Sequence, residues 1–386
     1  MTELSTRTLN RTLLERQLLL RRAELSPEQA IEHLVGMQAQ APNPPYLGLF
    51  ARLDEFDPED LSELVTKRLV VRIALQRNTI HLVSAKDAVL LRRVLKPVID
   101  NGLRHNYGAQ LRAVDLPALA ARGRELVEHE PLTFARLGEL LAEDFPQAKP
   151  NALAQGVRQL VPLAQVPPRG LWGQGGAATH TSLEAWLRGG DPSDALASAA
   201  VDADSETGSG GGSGAEPATP EDELDAVVMR YLAAFGPASV RDMQMWCGLT
   251  RMSAVVKRLG DRLTRYTDEN GTVLYDAAEA PLADEDLQPP VRLLPDYDNI
   301  LLSHADRSRI LAAEHRTAIF TVNGRILATV LVDGFAAATW RYEAGTLTVK
   351  PLRPLKAVEK REVEAEAART LGLLAPEGEV RVAFTG

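Results

Sequence analysis

The sequence predicts an α+β chain: three tandem winged-helix modules followed by a C-terminal antiparallel, β-barrel-like domain. Three observations predict it. A helix, a short helix, a turn, another helix and a two-stranded ribbon recur three times along the chain. A Gly/Ser-rich tract separates the second recurrence from the third. Beyond Val291 the pattern changes to short β-rich runs broken at Asn323-Gly324, Asp333-Gly334 and Ala344-Gly345, at hairpin spacing.

The first module is expected over residues 1–114. Its opening helix reads from Asn10 to Arg22. A second helix starts at Ser26, a good N-cap, with Pro27 at the first helical position and Gln29 placed to close a capping box. Ile31, Leu34 and Val35 mark its apolar face, and Gln38 continues that face as an amide. Pro42 disfavours helix at Ala41, so this helix is expected to end near Gln40. A helix through Tyr46 to Leu53 and another capped by Asp57 follow. Val70 to Leu75 and Thr79 to Val83 then form a ribbon about Gln76-Arg77-Asn78.

The second module is expected over 115–188, with helices at Leu116 to His129, Thr133 to Leu141 and Asn151 to Val161. Its ribbon is expected from Leu163 to Val166 and the Gly-rich run Trp172 to Gly176. Residues 189–220, centred on Gly208-Ser209-Gly210-Gly211-Gly212-Ser213-Gly214, read as a flexible linker. The third module, 221–285, is the cleanest. A helix to Phe235 stops at Gly236-Pro237, and Ser239 caps a short helix ending at Gly248. A helix from Thr250 to Leu259 precedes a hairpin about Asn270-Gly271. In the last domain, 286–386, strands are expected at Val291 to Leu302, Thr317 to Val322, Ile326 to Val332, Ala336 to Tyr342 and Thr346 to Lys350. A helix from Leu355 to Leu371 and a strand from Glu379 to Phe384 complete it.

With 386 residues and 45% hydrophobic composition, the chain can bury a large core. A single cysteine excludes an intrachain disulfide framework and suits a cytoplasmic setting. Neither a signal peptide nor a membrane-spanning apolar run is evident. The net charge of −9 argues against indiscriminate nucleic-acid binding, yet cations cluster locally. One group is Arg104, Arg112, Arg122 and Arg124; another is Arg251, Lys257, Arg258, Arg262 and Arg265. Phosphate loops, His-Glu-x-x-His and Cys-x-x-Cys are missing, and Cys247 sits in an apolar helix as a core thiol. No metal or cofactor is expected.

Gln38-Ala39-Gln40 is weak as a motif alone, fitting either a satisfied structural amide or a functional site. Its setting is more specific. His33 to Pro42, together with Arg77-Asn78-Thr79-Ile80-His81-Leu82, resembles the AlkZ/YcaQ superfamily of bacterial winged-helix DNA glycosylases. So do Leu293 to Ser303, Asp306-Arg307-Ser308-Arg309 and the segment from Gly324 to Trp340. The resemblance covers nearly the whole chain outside the Gly/Ser tract. Gln at position 40, where the YcaQ-like branch carries Asp, makes the chain similar to the AlkZ-like branch. That branch excises bulky N7-alkylguanine adducts, interstrand crosslinks included, and often serves self-resistance in antibiotic producers.

The resemblance implies that Gln38 and Gln40 are the catalytic pair. It further implies double-stranded DNA carrying alkylated purines as the partner, with a monomer as the expected state. The chemistry is consistent. An N7-alkylated guanine is cationic and leaves readily, so the enzyme must position a water and favour an oxocarbenium-like sugar. Amide oxygens accept from water and turn their dipoles toward positive charge. Arg77, Thr79, His81, Trp172 and Arg251 are candidate DNA contacts, and Asn43 and Asp298 candidate pocket residues. His81 and Trp172 equally suit core packing, and Asp298 suits a buried pair with Arg307 or Arg309. The rival reading is a non-enzymatic winged-helix DNA-binding transcription regulator.

Overall fold

The computed structural model describes residues 1–189, 218–379 and 381–385. The body of the expected linker, 190–217, lies outside the described residues. Among the described residues, no helix is long and apolar enough to cross a membrane.

β1 (Thr2–Leu4) leads into α1 (Thr6–Arg16), capped by Ser5. The helix stops six residues short of the expected Arg22. Leu18 turns left-handed at φ 58°, which sends Leu19 and Leu20 into the core. α2 (Pro27–His33), α3 (Pro44–Arg52) and α4 (Pro58–Thr66) follow, each with proline in its first turn. α5 (Ala85–Val94) and α6 (Lys96–Tyr107) form a helical pair that the sequence reading left unassigned. Ser84 Oγ caps α5 by accepting from Asp87 N, and Ala88, Leu91 and Leu95 are buried. α7 (Leu116–His129), α8 (Phe134–Asp144), α9 (Pro150–Leu160) and α10 (Leu183–Arg188) complete this part.

The two ribbons expected here as separate units are one sheet. β2 (Met37–Gln38), β3 (Val70–Ala74), β4 (Ile80–Ser84), β5 (Leu132–Thr133), β6 (Leu163–Val166) and β7 (Thr179–Ser182) lie in the order β2-β4-β3-β6-β7-β5. Every pairing is antiparallel, and Arg72↔Gln165 with Ile73↔Ala164 joins the first ribbon to the second. The partner of β6 is therefore Thr179–Ser182. Trp172 to Gly176 is instead part of the connecting loop, where Gly173 and Gly176 take positive φ that a paired strand does not use.

Beyond residue 218 the local signals match the helices closely. Pro220–Phe235 has a Thr219/Asp222 capping box, and Val240–Cys247 has one from Ser239 and Asp242 and ends at Gly248, φ 82°. Met252–Leu259 precedes β8 (Leu263–Asp268) and β9 (Val273–Ala277). β1 adds to this hairpin in parallel, with Thr2 opposite Tyr266. Cys247 is buried in the core, and burial pushes its thiol up to about 11.

The last sheet runs β10 (Arg292–Leu294), β11 (Thr329–Val332), β12 (Phe335–Glu343), β13 (Thr346–Pro351) and β14 (Val382–Phe384) in sequential order. It is an open sheet with β10 and β14 at its edges, and β14 joins β13 in parallel, so the expected antiparallel barrel is corrected. The helix Ala357–Leu374 covers one face, packing Val363, Ala367 and Leu371 with Val330, Trp340 and Val349. Two expected strands are also corrected. The first ends at Leu294, since Pro295 has no ladder donor, and the chain resumes as the short helix Asn299–Leu302. The run at Thr317 is the helical turn Arg316–Ile319. One apolar core joins α1, β3, β4 and α5 to Tyr231, Phe235 and Trp246 and on to Leu294, Ile300 and Leu331.

Candidate active site

The Ser26 capping box forms as expected, with Gln29 N donating to Ser26 Oγ at 3.2 Å and Ser26 N to Gln29 Oε1 at 3.0 Å. The helix then ends at His33 rather than near Gln40. Val35 and Gly36 take φ of 53° and 91°, and Gly36 N donates back to Ile31 O at 2.9 Å. A Cβ on Gly36 would lie 2.5 Å from Val83 Cγ1, so only glycine lets the chain pass this close to β4. Gln38 consequently lies on an edge strand, not on a helix face.

Three distant groups hold that strand. Along its free edge, the Asn299 carboxamide stands in for a neighbouring peptide: Nδ2 donates to Gly36 O at 2.7 Å and Oδ1 accepts from Gln38 N at 3.3 Å. At its inner edge Gln38 faces His81 in register. Farther along, Ala39 N donates to Ile80 O at 2.8 Å, while Ala39 O is taken by Arg72 Nη2 at 2.8 Å. The Ile80 N–H turns to Gln40 Oε1 at 3.3 Å, so the Gln40 side chain replaces a main-chain acceptor in the ladder. Gln38 is 7% exposed, whereas Gln40 is exposed.

Arg77 sits at the β3–β4 turn with a left-handed φ of 53°. Its Nη2 donates to Gln38 Oε1 at 2.8 Å and its Nη1 to Trp246 O at 2.6 Å. Burial pushes its guanidinium down to about 10, so it stays charged at neutral pH. Thr79 Oγ1 donates to Gln76 O at 3.0 Å and closes the same turn. His81 is buried, with Nδ1 3.0 Å from Thr79 O. Burial first, and the Arg77 charge second, push it down to about 3, so its ring is neutral.

The other sequence candidates fall elsewhere. Asp298 caps Asn299–Leu302 and receives Arg52 Nη1 and Nη2, each at 2.8 Å, not Arg307 or Arg309. Arg52 and Asp298 are both sealed from solvent, and Arg307 and Arg309 donate instead to Leu301 O and Pro237 O. Trp172 is half-buried against Tyr46, ring centroids 5.1 Å apart, and its backbone N–H donates to Ser62 Oγ. Arg251 is exposed at the start of Met252–Leu259. No hydrogen bond or ion pair among the described residues links Trp172 or Arg251 to the Gln38 group. Of the clustered cations, Arg122, Arg124 and Arg258 are tied to carboxylates. Among the described residues, no group of three His, Cys, Asp or Glu could hold a metal ion.

A cleft of 1030 Å³ opens one residue beyond Gln40. Ala41 to Pro44, the exposed Asn43 included, form one wall. The loop at Gly173 and the outer face of β12 and β13 form the others, with Arg169, Arg325, Arg341 and Lys350 among the lining groups. Neither glutamine lines this cleft itself. Gln38 borders a separate void of 10 Å³ shared with Asp296, Asp298 and Asn299, about the room one water needs.

Sequence reasoning missed Asn299 and Arg72 as supports of the glutamine strand, and Arg52 as the partner of Asp298. Asn299 lies within the Leu293 to Ser303 motif but in a helical turn, not the expected strand, and Gly36 is the local signal for the turn that ends the Ser26 helix.

The AlkZ-like DNA glycosylase profile matches residues 31–373. The chain belongs to the AlkZ-like DNA glycosylase family. Within the AlkZ-like proteins, it is 32% identical over 167 residues to an interstrand DNA cross-link repair glycosylase from Streptomyces sahachiroi. That match covers 40% of this chain and 44% of the relative. The solved structure of the Streptomyces sahachiroi DNA glycosylase AlkZ superposes with a TM-score of 0.77 over 100% of both chains, at 22% identity. At that identity the likeness speaks for a shared AlkZ-like fold.

Proposed function

We propose that this protein is a monofunctional DNA glycosylase that hydrolyses the N-glycosidic bond of cationic alkylated purines in duplex DNA. Its substrates are N7-alkylguanines, bulky adducts and interstrand crosslinks among them, in DNA repair or genotoxin self-resistance. The carrying observation is the pair Gln38 and Gln40, fixed at the end of an edge strand beside a cleft lined by Arg169 and Lys350, with Arg325 and Arg341 paired there to Asp296 and Glu343. A carboxamide neither needs nor supplies a proton at neutral pH, which suits a base that already carries positive charge. Exposed cleft walls suit adducts too large for a closed base pocket. In this reading the recurring helix–ribbon units act as winged-helix modules, the protein works as a monomer, and Asn43 and the cleft cations meet the DNA.

The test is release of 7-methylguanine from duplex DNA by the full chain and by Gln38→Ala and Gln40→Ala. Each variant is expected to lose about 100-fold in rate while keeping wild-type circular dichroism. Unchanged excision in both would move the site elsewhere. The exposed Arg251 and Lys257 favour a second reading, a DNA-binding regulator. It requires retarded duplex in a gel shift with no base released.

A further inference from the structure

The two glutamines present different atoms. A guanidinium carries only donor hydrogens, so the end of Gln38 that meets Arg77 Nη2 at 2.8 Å must be its oxygen. Arg77 is itself held by Trp246 O, which fixes the carboxamide the same way round. The free end is Nε2, a donor. It bonds no described residue, yet it is not among the buried atoms left without partners, so solvent reaches it.

His81 stands opposite Gln38 across the antiparallel pair. Its Nδ1 lies 3.0 Å from Thr79 O, and a carbonyl only accepts, so Nδ1 carries the ring proton. Nε2 of the neutral ring then offers a lone pair. It too bonds no described residue and is not among the sealed, unpartnered atoms. Directly opposed residues share a face, with Cβ atoms about 4.5–5.5 Å apart. Gln38 thus presents a donor and His81 an acceptor from neighbouring positions on one face of the β2–β4 pair, both without a protein partner among the described residues.

We propose that Gln38 Nε2 and His81 Nε2 together bind the hydrolytic water, with Arg77 and Thr79 as positioning residues that decide which atom each side chain presents. This rests on the glycosylase reading above. The water accepts from Gln38, donates to His81 and keeps one lone pair for C1′ of the sugar. As the C1′–O bond forms, the C1′–N9 bond breaks and its electron pair neutralises the departing alkylguanine. The oxonium left on C1′ is a strong acid and gives its proton to His81 Nε2, which passes it to solvent.

The experiment measures single-turnover release of 7-methylguanine from duplex DNA, alongside gel-shift affinity and melting of each full-length variant. Gln38→Glu keeps an oxygen for Arg77 but removes the donor, and His81→Leu removes the acceptor. Each is expected to lower the rate about 100-fold at unchanged DNA affinity. His81→Asn, a polar replacement that melts as the wild type, should fall similarly. Arg77→Met is expected to follow Gln38→Glu, whereas Arg77→Lys, which still donates to Oε1, stays within about tenfold of wild type. Rates of Gln38→Glu or His81→Asn within threefold of wild type would overturn the pairing. So would a loss in Arg77→Met matched by an equal loss of DNA affinity, which would make Arg77 a phosphate ligand. If wild type releases no base, it is the glycosylase reading that falls.

Discussion

Acidification from pH 7 to pH 5.5 should weaken the fold sharply, because three histidines are buried as neutral rings. Burial pushes His81, His180 and His304 down to about 3, about 4 and about 3 respectively. An unfolded chain takes a proton at each as pH falls through about 6.5, while the folded chain does not until near 4 or below. The unfolded state therefore gains protons first, and stability is lost progressively from about pH 6.5 downward. Each histidine costs on the order of 1 kcal/mol between pH 7 and 5.5, so the three together cost roughly 3–4 kcal/mol. That is a large fraction of the 5–15 kcal/mol typical of a folded protein. Raised carboxyls such as Glu28 and Asp276 act in the opposite sense, but closer to the carboxylate range. Urea unfolding followed by tryptophan fluorescence at the two pH values, at constant ionic strength, measures the difference. His180 gives the control: it stacks on Phe134 at 4.1 Å with both ring nitrogens unpartnered, so His180→Phe keeps the packing. That variant should lose about a third of the pH dependence. A stability unchanged to within about 1 kcal/mol, or a variant with the full wild-type dependence, would refute the reasoning.

Two further outcomes are expected. Asp298→Ala strands the sealed Arg52 cation and should cost about 3–5 kcal/mol, with Arg52→Leu added on top costing little more; urea midpoints of the single and double variants check this. Asn299→Asp places an oxygen where Nδ2 met Gly36 O at 2.7 Å. It should cost about 1–3 kcal/mol and slow base release more than it weakens duplex binding, as single-turnover rates beside gel shifts will reveal.

What the sequence revealed was mostly local. Ser26 with Gln29, and Ser239 with Asp242, are caps spelled within four residues, and the helices they cap begin where expected. The Asn270-Gly271 hairpin is equally short-range. The misreadings have long-range causes. Asp298 pairs with Arg52, 246 residues away, instead of with its sequence neighbours Arg307 and Arg309. β1 lies on β8, and no pattern in residues 2–4 names that partner. The glutamine pair was found as a motif, but its geometry was misjudged because Gly36 was read as an interior helical residue. The surroundings of Arg77 and His81 were hidden similarly: their neighbours in space are Trp246 and Gln38, which no spacing rule connects.

The seam between β3 and β6 carries a consequence for how the molecule comes apart. Because Arg72 and Ile73 share ladder positions with Gln165 and Ala164, the two ribbons cannot breathe independently. Opening either one exposes amides of the other. Deuterium uptake at Ile73 and Ala164 should therefore rise together, with one common rate and one common response to denaturant, as in a single cooperative foldon.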